Sequence, residues 1–588
     1  MPATWRRIVA HDAMRRLASL LPIFDWAPRY TRTQAVDDFV AAAIVTIMLV
    51  PQSLAYAMLA GLPPQTGLYA SILPLVAYAL FGTSRTLAVG PVAVVSLMTA
   101  AALAPVASQG SPAYVAAAIA LALLSGAVLL AMAALRLGFL ANMLSHPVIS
   151  GFISASGVLI AAGQAKHLLG IPAGGETLPQ ILHALWRGLG DVNPVTLAIG
   201  LFTLAFLFWA RRSLKPLLRR SGCAPRIADL AAKAGPLVAI GASILAVLLL
   251  DLGARGVRLV GPIPAGSPPF ALPGFDPALW IDLLPAAVLI ALVGFVESVS
   301  VGQTLAARRR QRIVPNQELV GLGASNIAAA LSGGFPVTGG FARSIVNFEA
   351  GAATPFAGAL TAVLILAATM FMTPLFRLLP QAVLAATIVV AVLALVDFAA
   401  VRRIYAYSKS DFAAMAATIV LVLMVGVEAG IVGGVALSLL LFLWRTSTPH
   451  VAIVGQVPGT EHFRNVERHA VLTSPDLLSI RIDESLYFAN ARFLEERVLA
   501  EVAARPELRN VVLMCSAVNM IDASALESLE AIADRLASAG IGFHLSEVKG
   551  PVMDALRRSD FLAHFRGRVF LSQDEAFMML GRSPRSAV

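Results

Sequence analysis

From Phe39 to Trp444 the chain alternates long apolar stretches with short polar loops. A helix needs about 20 apolar residues to cross the hydrocarbon core of a bilayer, and fewer where it stops midway inside protein. The pattern predicts fourteen such segments. They centre near Thr46, Leu75, Leu97, Leu123, Gly157, Phe202 and Ala242, then Leu292, Ala324, Ile345, Ile365, Val389, Ile419 and Val435. The third, ninth and tenth are short or rich in glycine. After Arg445 the pattern changes. "LLSIRID" and "NVVLMCS" are short apolar runs suited to buried strands, and "IGFHLSEV" reads as another. "ASALESLEAIADRLASAG" has apolar residues at helical spacing and ends at a glycine. This alternation predicts a small α/β domain. The expected division is an N-terminal segment over 1–35, a membrane domain over 36–444 and a C-terminal domain over 445–588.

Composition agrees. Charged residues make up 13% of the 588 and hydrophobic ones 58%, whereas soluble proteins carry about 25% charged residues. The net charge of +10 does not point to nucleic acid, because the basic residues gather in short loops, as in a membrane protein that fixes its orientation. Arg6, Arg7, Arg15 and Arg16 precede the first span and predict a cytoplasmic N-terminus. Dense basic clusters should then follow even-numbered spans only. Arg136 follows span four, Arg211 to Arg220 span six, Arg308 to Arg312 span eight, Arg402 to Lys409 span twelve and Arg445 span fourteen. Lys166, Arg187, Arg255, Arg258 and Arg377 fall in the other loops, but singly or in pairs. The expected location is a bacterial-type inner membrane, crossed many times, with both termini cytoplasmic. No removable signal peptide is expected. Two cysteines, Cys223 and Cys515, imply no disulfide framework. No Cys/His cluster suggests a metal, no cofactor is implied, and no nucleophile has its base, so an enzyme is not expected.

Seven segments precede the Pro/Gly-rich loop after Ala242 and seven follow it. An odd number per half places the halves in opposite orientation, as inverted repeats over about 36–252 and 283–444. "YALFGTSRTLAVGP" leads into span three and "AALSGGFPVTGGF" into span ten, the third segment of each half. Paired broken segments of this kind point to a midplane binding site, where free helix-terminal amides favour an anion. Pro91 suits the first turn of span three, and Gly339 and Gly340 let backbone approach a ligand.

Arg343 then lies one turn into span ten. A guanidinium at membrane depth costs roughly 2.5–3.5 kcal/mol or more, so it faces a cavity or a partner. Two roles stay open: counter-charge for an anion, or a salt bridge that only holds helices together. Glu297 is the natural partner, with Glu349 a second candidate. Glu297 reads equally as a proton-coupling acid and as one half of a permanent bridge to Arg343. Gln52 and Tyr56 lie four apart on span one and share a face beside Pro51, which should loosen the helix.

These residues resemble the sulfate permease (SulP) family. "VPQSLAYAMLAGLPPQTGLYAS", "LFGTSRTLAVGP" and "GGFPVTGGFARSIVNFEAGAATP" are similar to its span one to two, span three and span ten signatures. The resemblance covers almost the whole chain. It implies fourteen helices in two inverted repeats of seven, a core domain (spans one to four and eight to eleven) moving against a gate domain, and an anion held between half-helices three and ten. It places Gln52, Tyr56, Val92, Ala342, Arg343 and Ser344 at the substrate and Glu297 at coupling. Ala342 departs from the family's Ser-Arg pair and removes a hydroxyl. Four residues after Glu297 stands Val301, with Ser300 adjacent, which favours protons over sodium.

The C-terminal part resembles the STAS domain. Ser524 in "NMIDASALESL" stands where related anti-sigma-factor antagonists carry a phosphoserine, and a helix cap is the plainer role for it. The resulting expectation is a homodimeric, elevator-like anion transporter that couples sulfate uptake to protons, with a cytoplasmic protein partner open to the STAS domain. Bicarbonate, chloride or a fumarate-like dicarboxylate is the alternative substrate. An anion channel or a membrane sensor signalling through STAS is the alternative class, and a nucleobase carrier is disfavoured by Arg343.

Overall fold

Thr31 opens the first long helix with a capping box: its hydroxyl accepts from the Gln34 amide (3.3 Å), and the Gln34 side chain accepts from the Thr31 amide (2.9 Å). The helix, α1 (Arg32–Leu59), runs through Pro51 without a break, so the loosening expected there does not end it. Other helices start by a similar device. Ser111, Asn193 and Asp276 accept first-turn amide hydrogens, and each is followed by proline at the first helical position.

The computed structural model describes residues 21–142, 145–222, 234–262, 264, 266–272, 274 and 276–581. It divides into two units, Met1–Leu437 and Ser438–Val588. Arg6, Arg7, Arg15, Arg16 and Cys223 lie outside the described residues. After α1 come α2 (Leu73–Phe81), α3 (Ala93–Leu103), α4 (Pro112–Ala134), α5 (His146–Leu169), α6 (Pro194–Trp209) and α7 (Gly235–Leu250). The second half holds α8 (Pro277–Arg308), α9 (Pro315–Leu331), α10 (Phe341–Glu349), α11 (Phe356–Phe371), α12 (Gln381–Leu393), α13 (Lys409–Met424) and α14 (Val427–Ser447). Each expected segment centre falls in one of these helices. Among the described residues, seven helices are long and apolar enough to cross a membrane by length and composition; α3 and α10 have 11 and 9 residues.

Large apolar side chains such as Phe202, Leu249 and Phe371 are exposed, which suits a surface solvated by lipid. Inside, small residues let helices approach. A Cβ on Gly126 of α4 would stand 2.9 Å from the Gly323 carbonyl oxygen of α9, and one on Gly323 would stand 3.1 Å from the Gly126 oxygen. This contact joins the two halves.

The C-terminal unit holds a six-stranded sheet of order β4-β3-β5-β6-β7-β8, built from β3 (Val451–Gln456), β4 (Phe463–Asn465), β5 (Leu477–Ile482), β6 (Asn510–Met514), β7 (Gly542–Ser546) and β8 (Val569–Phe570). The last four run parallel. Leu478, Ile480, Val511 and Leu513 pack against Leu494, Leu529 and Ile532 of the flanking helices. In this unit Ser524 is not the helix cap. Asp522 caps the helix Ala523–Ser538, with Oδ1 accepting from the Ala525 amide (2.9 Å) and Oδ2 from the Phe488 amide (2.8 Å). Aspartate and serine cap comparably well, and Asp522 alone also reaches the neighbouring loop. Ser524 is exposed in the first turn.

Candidate functional site

Two dipeptide strands form the centre of the membrane unit. β1 (Val89–Gly90) pairs antiparallel with β2 (Thr338–Gly339), Val89 opposite Gly339 and Gly90 opposite Thr338. The Gly340 amide extends the ladder by donating to the Ala88 carbonyl (3.1 Å). The chain leaves each strand directly into a short helix. Val92 is the N-cap of α3 and Gly340 that of α10, and neither end has a side-chain cap. The first helical bonds are Ser96 N to Val92 O and Ser344 N to Gly340 O. The amides of Ala93, Val94, Val95, Phe341, Ala342 and Arg343 therefore have no acceptor within their own helices. Pro91 lies one residue before the cap rather than in the first turn. Proline there ends the ladder instead of opening the helix.

Arg343 is 3% exposed, and its two terminal nitrogens have no hydrogen-bond partner. The guanidinium lies against both strands. A Cβ on Gly90 would stand 2.6 Å from Nη1, and one on Gly340 would stand 2.8 Å from Nε. Glycine at these two positions makes room for the cation. The direct bridge to Glu297 is not formed. Tyr56, Glu297 and Arg343 nevertheless lie close enough to act on one another electrostatically. Glu297 lines a cavity of about 20 Å³ walled by Val148, Phe152, Val293 and Ile431, room for about one water.

Gln52 and Ala342 line a larger cavity, about 400 Å³, whose wall also carries Arg211 and Lys215. Among the described residues the Gln52 side chain has no hydrogen-bond partner, although the residue is only 7% exposed. Val92 and Tyr56 are buried nearby in chain terms, at the N-cap of α3 and one turn after Gln52. Ser344 faces the other way: its hydroxyl accepts from the Ala88 amide (3.0 Å) and so ties α10 to the β1 side. Glu349 ends α10, six residues and about 9 Å along the axis from Arg343.

A shell of polar residues holds this centre, and most of it was not singled out from the sequence. Glu318 is fully buried and accepts from Tyr78 Oη (2.7 Å), the Thr83 amide (2.8 Å), the Ser84 amide (3.2 Å) and the Thr83 hydroxyl. Ser298, beside Glu297, accepts from the Gly339 amide (2.9 Å) and bonds the Thr338 hydroxyl (2.8 Å). Asn326 pairs with both backbone groups of Val337, at 2.9 Å each. At the far end of α10, Arg309 donates to the Phe348 carbonyl (2.8 Å) and to that of Ala352. Buried Asp38 accepts from the Ala353 and Thr354 amides (2.6 and 3.1 Å). Glu318 and Asn326 carried a signal, as polar residues inside apolar segments. Asp38 follows Asp37 at a helix start and reads as solvated; only the fold shows otherwise.

The pattern of the Sulfate permease family matches residues 36–418, and that of the STAS domain residues 469–576. The chain is 35% identical over 557 residues to "Sulfate transporter 4.1, chloroplastic" of Arabidopsis thaliana, covering 92% of this chain and 79% of that one. It is 31% identical over 592 residues to "High affinity sulfate transporter 2" of Stylosanthes hamata, covering 97% of this chain and 87% of that one. Among solved structures, SLC26A9 superposes with a TM-score of 0.87 at 21% identity, covering 97% of this chain and 94% of that one. The transmembrane domain of the cyanobacterial bicarbonate transporter BicA gives 0.59 at 23% identity, over 69% and 98%. At these identities the structures establish a shared fold.

Proposed function

Because this chain belongs to the sulfate permease family, we propose that it is a secondary active anion transporter that takes up sulfate, coupled to protons, by an elevator-like motion. Its relatives are transporters and not enzymes, and several are named for sulfate. The observation that carries the reading is Arg343: a buried guanidinium with two unpartnered nitrogens, beside two uncapped helix N-termini. An anion seated there satisfies both. Gln52, Tyr56, Val92, Ala342, Arg343 and Ser344 form the proposed substrate site, with Ser344 acting through the backbone it anchors. Residues 36–444 form the transport domain and 445–588 the STAS domain, in a homodimer with both termini in the cytoplasm of a bacterial-type cell. Ser524, exposed and not needed as a cap, is the proposed regulatory position.

Uptake of labelled sulfate into proteoliposomes tests this, with bicarbonate, chloride and fumarate as competitors. Sulfate should accumulate and unlabelled sulfate compete best. A protein that moves none of these anions under any gradient is not a transporter of this class.

Glu297 is assigned to coupling because no ion pair locks it to Arg343, while a one-water cavity adjoins it. Glu297→Gln should keep sulfate exchange but lose stimulation by an inward proton gradient. Uptake in this variant that still follows the pH gradient would remove Glu297 from coupling.

A further inference from the structure

A second cavity of about 360 Å³ lies along the other short helix, lined by Leu97 and Ala101 of α3 and by Gln164 and Lys166 of α5. The first large cavity takes its wall from α10 and from Gln52 of α1; this one takes Met58 and Leu59 of α1. Gln52 and Met58 are six residues apart, about 9 Å along one helix. The two cavities therefore converge on the same stretch of α1, from the flanks of the two facing half-helices.

Gln164 is the informative residue. It is 5% exposed, it lines the cavity, and among the described residues its side chain has no hydrogen-bond partner. Its amide is not one of the sealed side-chain groups that lack a partner, so it opens to the cavity. Gln52 stands in the same condition in the opposite cavity. Each cavity also has basic residues: Arg211 and Lys215 in the first, Lys166 in the second. Among the described residues Lys166 makes no ion pair, and Arg258 adds its field to the same spot.

We propose that Gln164 and Lys166 form a second anion station, through which the transported anion passes between the central site and the membrane face opposite Gln52. This rests on the anion-transport reading above. The Gln164 amide offers two donors and Lys166 a charge, the chemistry that suits an oxyanion. Glu176 and Glu428 also line the cavity and oppose an anion. The station is consequently weak, as a transit site must be if the ion is to leave it.

The test is one-sided kinetics in oriented vesicles, with sulfate presented at either face. Gln164→Leu removes both donors, and Lys166→Gln removes the charge while keeping a polar chain. Each should raise the sulfate KM about tenfold from the face served by this cavity, the size expected for one hydrogen bond to a charged group. KM from the other face should stay at the wild-type value. Gln164→Glu, close in shape, should raise the same one-sided KM further. Wild-type transport with unchanged KM in all three variants, or with KM raised equally from both faces, overturns the station alone. Wild-type protein that moves no anion overturns the transport reading and the station together.

Discussion

Arg343→Ala should reduce sulfate uptake by about a hundredfold or more, while the purified protein remains folded. The size follows from two lost hydrogen bonds between charged groups, each contributing about 1.5–3 kcal/mol, where 1.4 kcal/mol is a factor of ten. The protein itself gives the guanidinium no hydrogen bond at Nη1 or Nη2. Removing it breaks no internal bridge and takes away a buried, unpaired charge. Thermal unfolding separates binding from folding. Sulfate at 100 times its Kd should stabilise wild-type protein by about 2.7 kcal/mol. The variant without sulfate should unfold no earlier than wild type without sulfate, and added sulfate should not shift it. Arg343→Lys should recover only part of the activity, because a single ammonium cannot replace the two-pronged contact. A sulfate-dependent shift in Arg343→Ala equal to that of wild type would take Arg343 out of the site.

The resting state of this arginine was the part of the site least legible in the sequence. Its depth and its neighbours were readable, because glycines and a proline interrupting an apolar run mark a broken helix, and a charge at that place needs a partner. The partner was not readable. Glu297 offered itself by charge, yet Arg343 packs back against Gly90 and Gly340 instead. That choice depends on a contact between residues far apart in the chain, across the β1–β2 pairing, which no local period encodes. The same limit explains Ser298. The sequence drew attention to Ser300 and Val301, one helical turn from Glu297, but Ser298 is the hydroxyl that holds the strand. The segment centres were legible because crossing the hydrocarbon core requires long, predominantly apolar runs. The C-terminal unit shows the opposite case. Both Asp522 and Ser524 have the chemistry of a cap, and the loop at Phe488 decides between them.

Glu318→Ala should produce the largest loss of stability among these substitutions, and a loss of sulfate affinity through a residue well away from the anion. Tyr78, Thr83 and Ser84 all donate to this one carboxylate. Truncation leaves their hydroxyl and amide hydrogens buried without acceptors, a loss of about 3–5 kcal/mol by analogy with breaking a buried charged pair. The consequence runs along the chain. Thr83 and Ser84 begin the segment that continues through the Ser84-capped Leu87 amide (3.2 Å) into β1, and β1 places Gly90 against Arg343. A loosened loop therefore blurs both the α3 N-terminus and one wall of the guanidinium. Glu318→Gln keeps an acceptor for the Thr83 and Ser84 amides and should lose much less. The discriminating measurement is the pair of thermal unfolding midpoint and sulfate KM across Ala, Gln and wild type. The two quantities should worsen together, Ala far more than Gln. A Glu318→Ala protein that unfolds with wild type would show that the donors find other acceptors. One that unfolds early but binds sulfate normally would show that the loop before β1 does not set the position of Arg343.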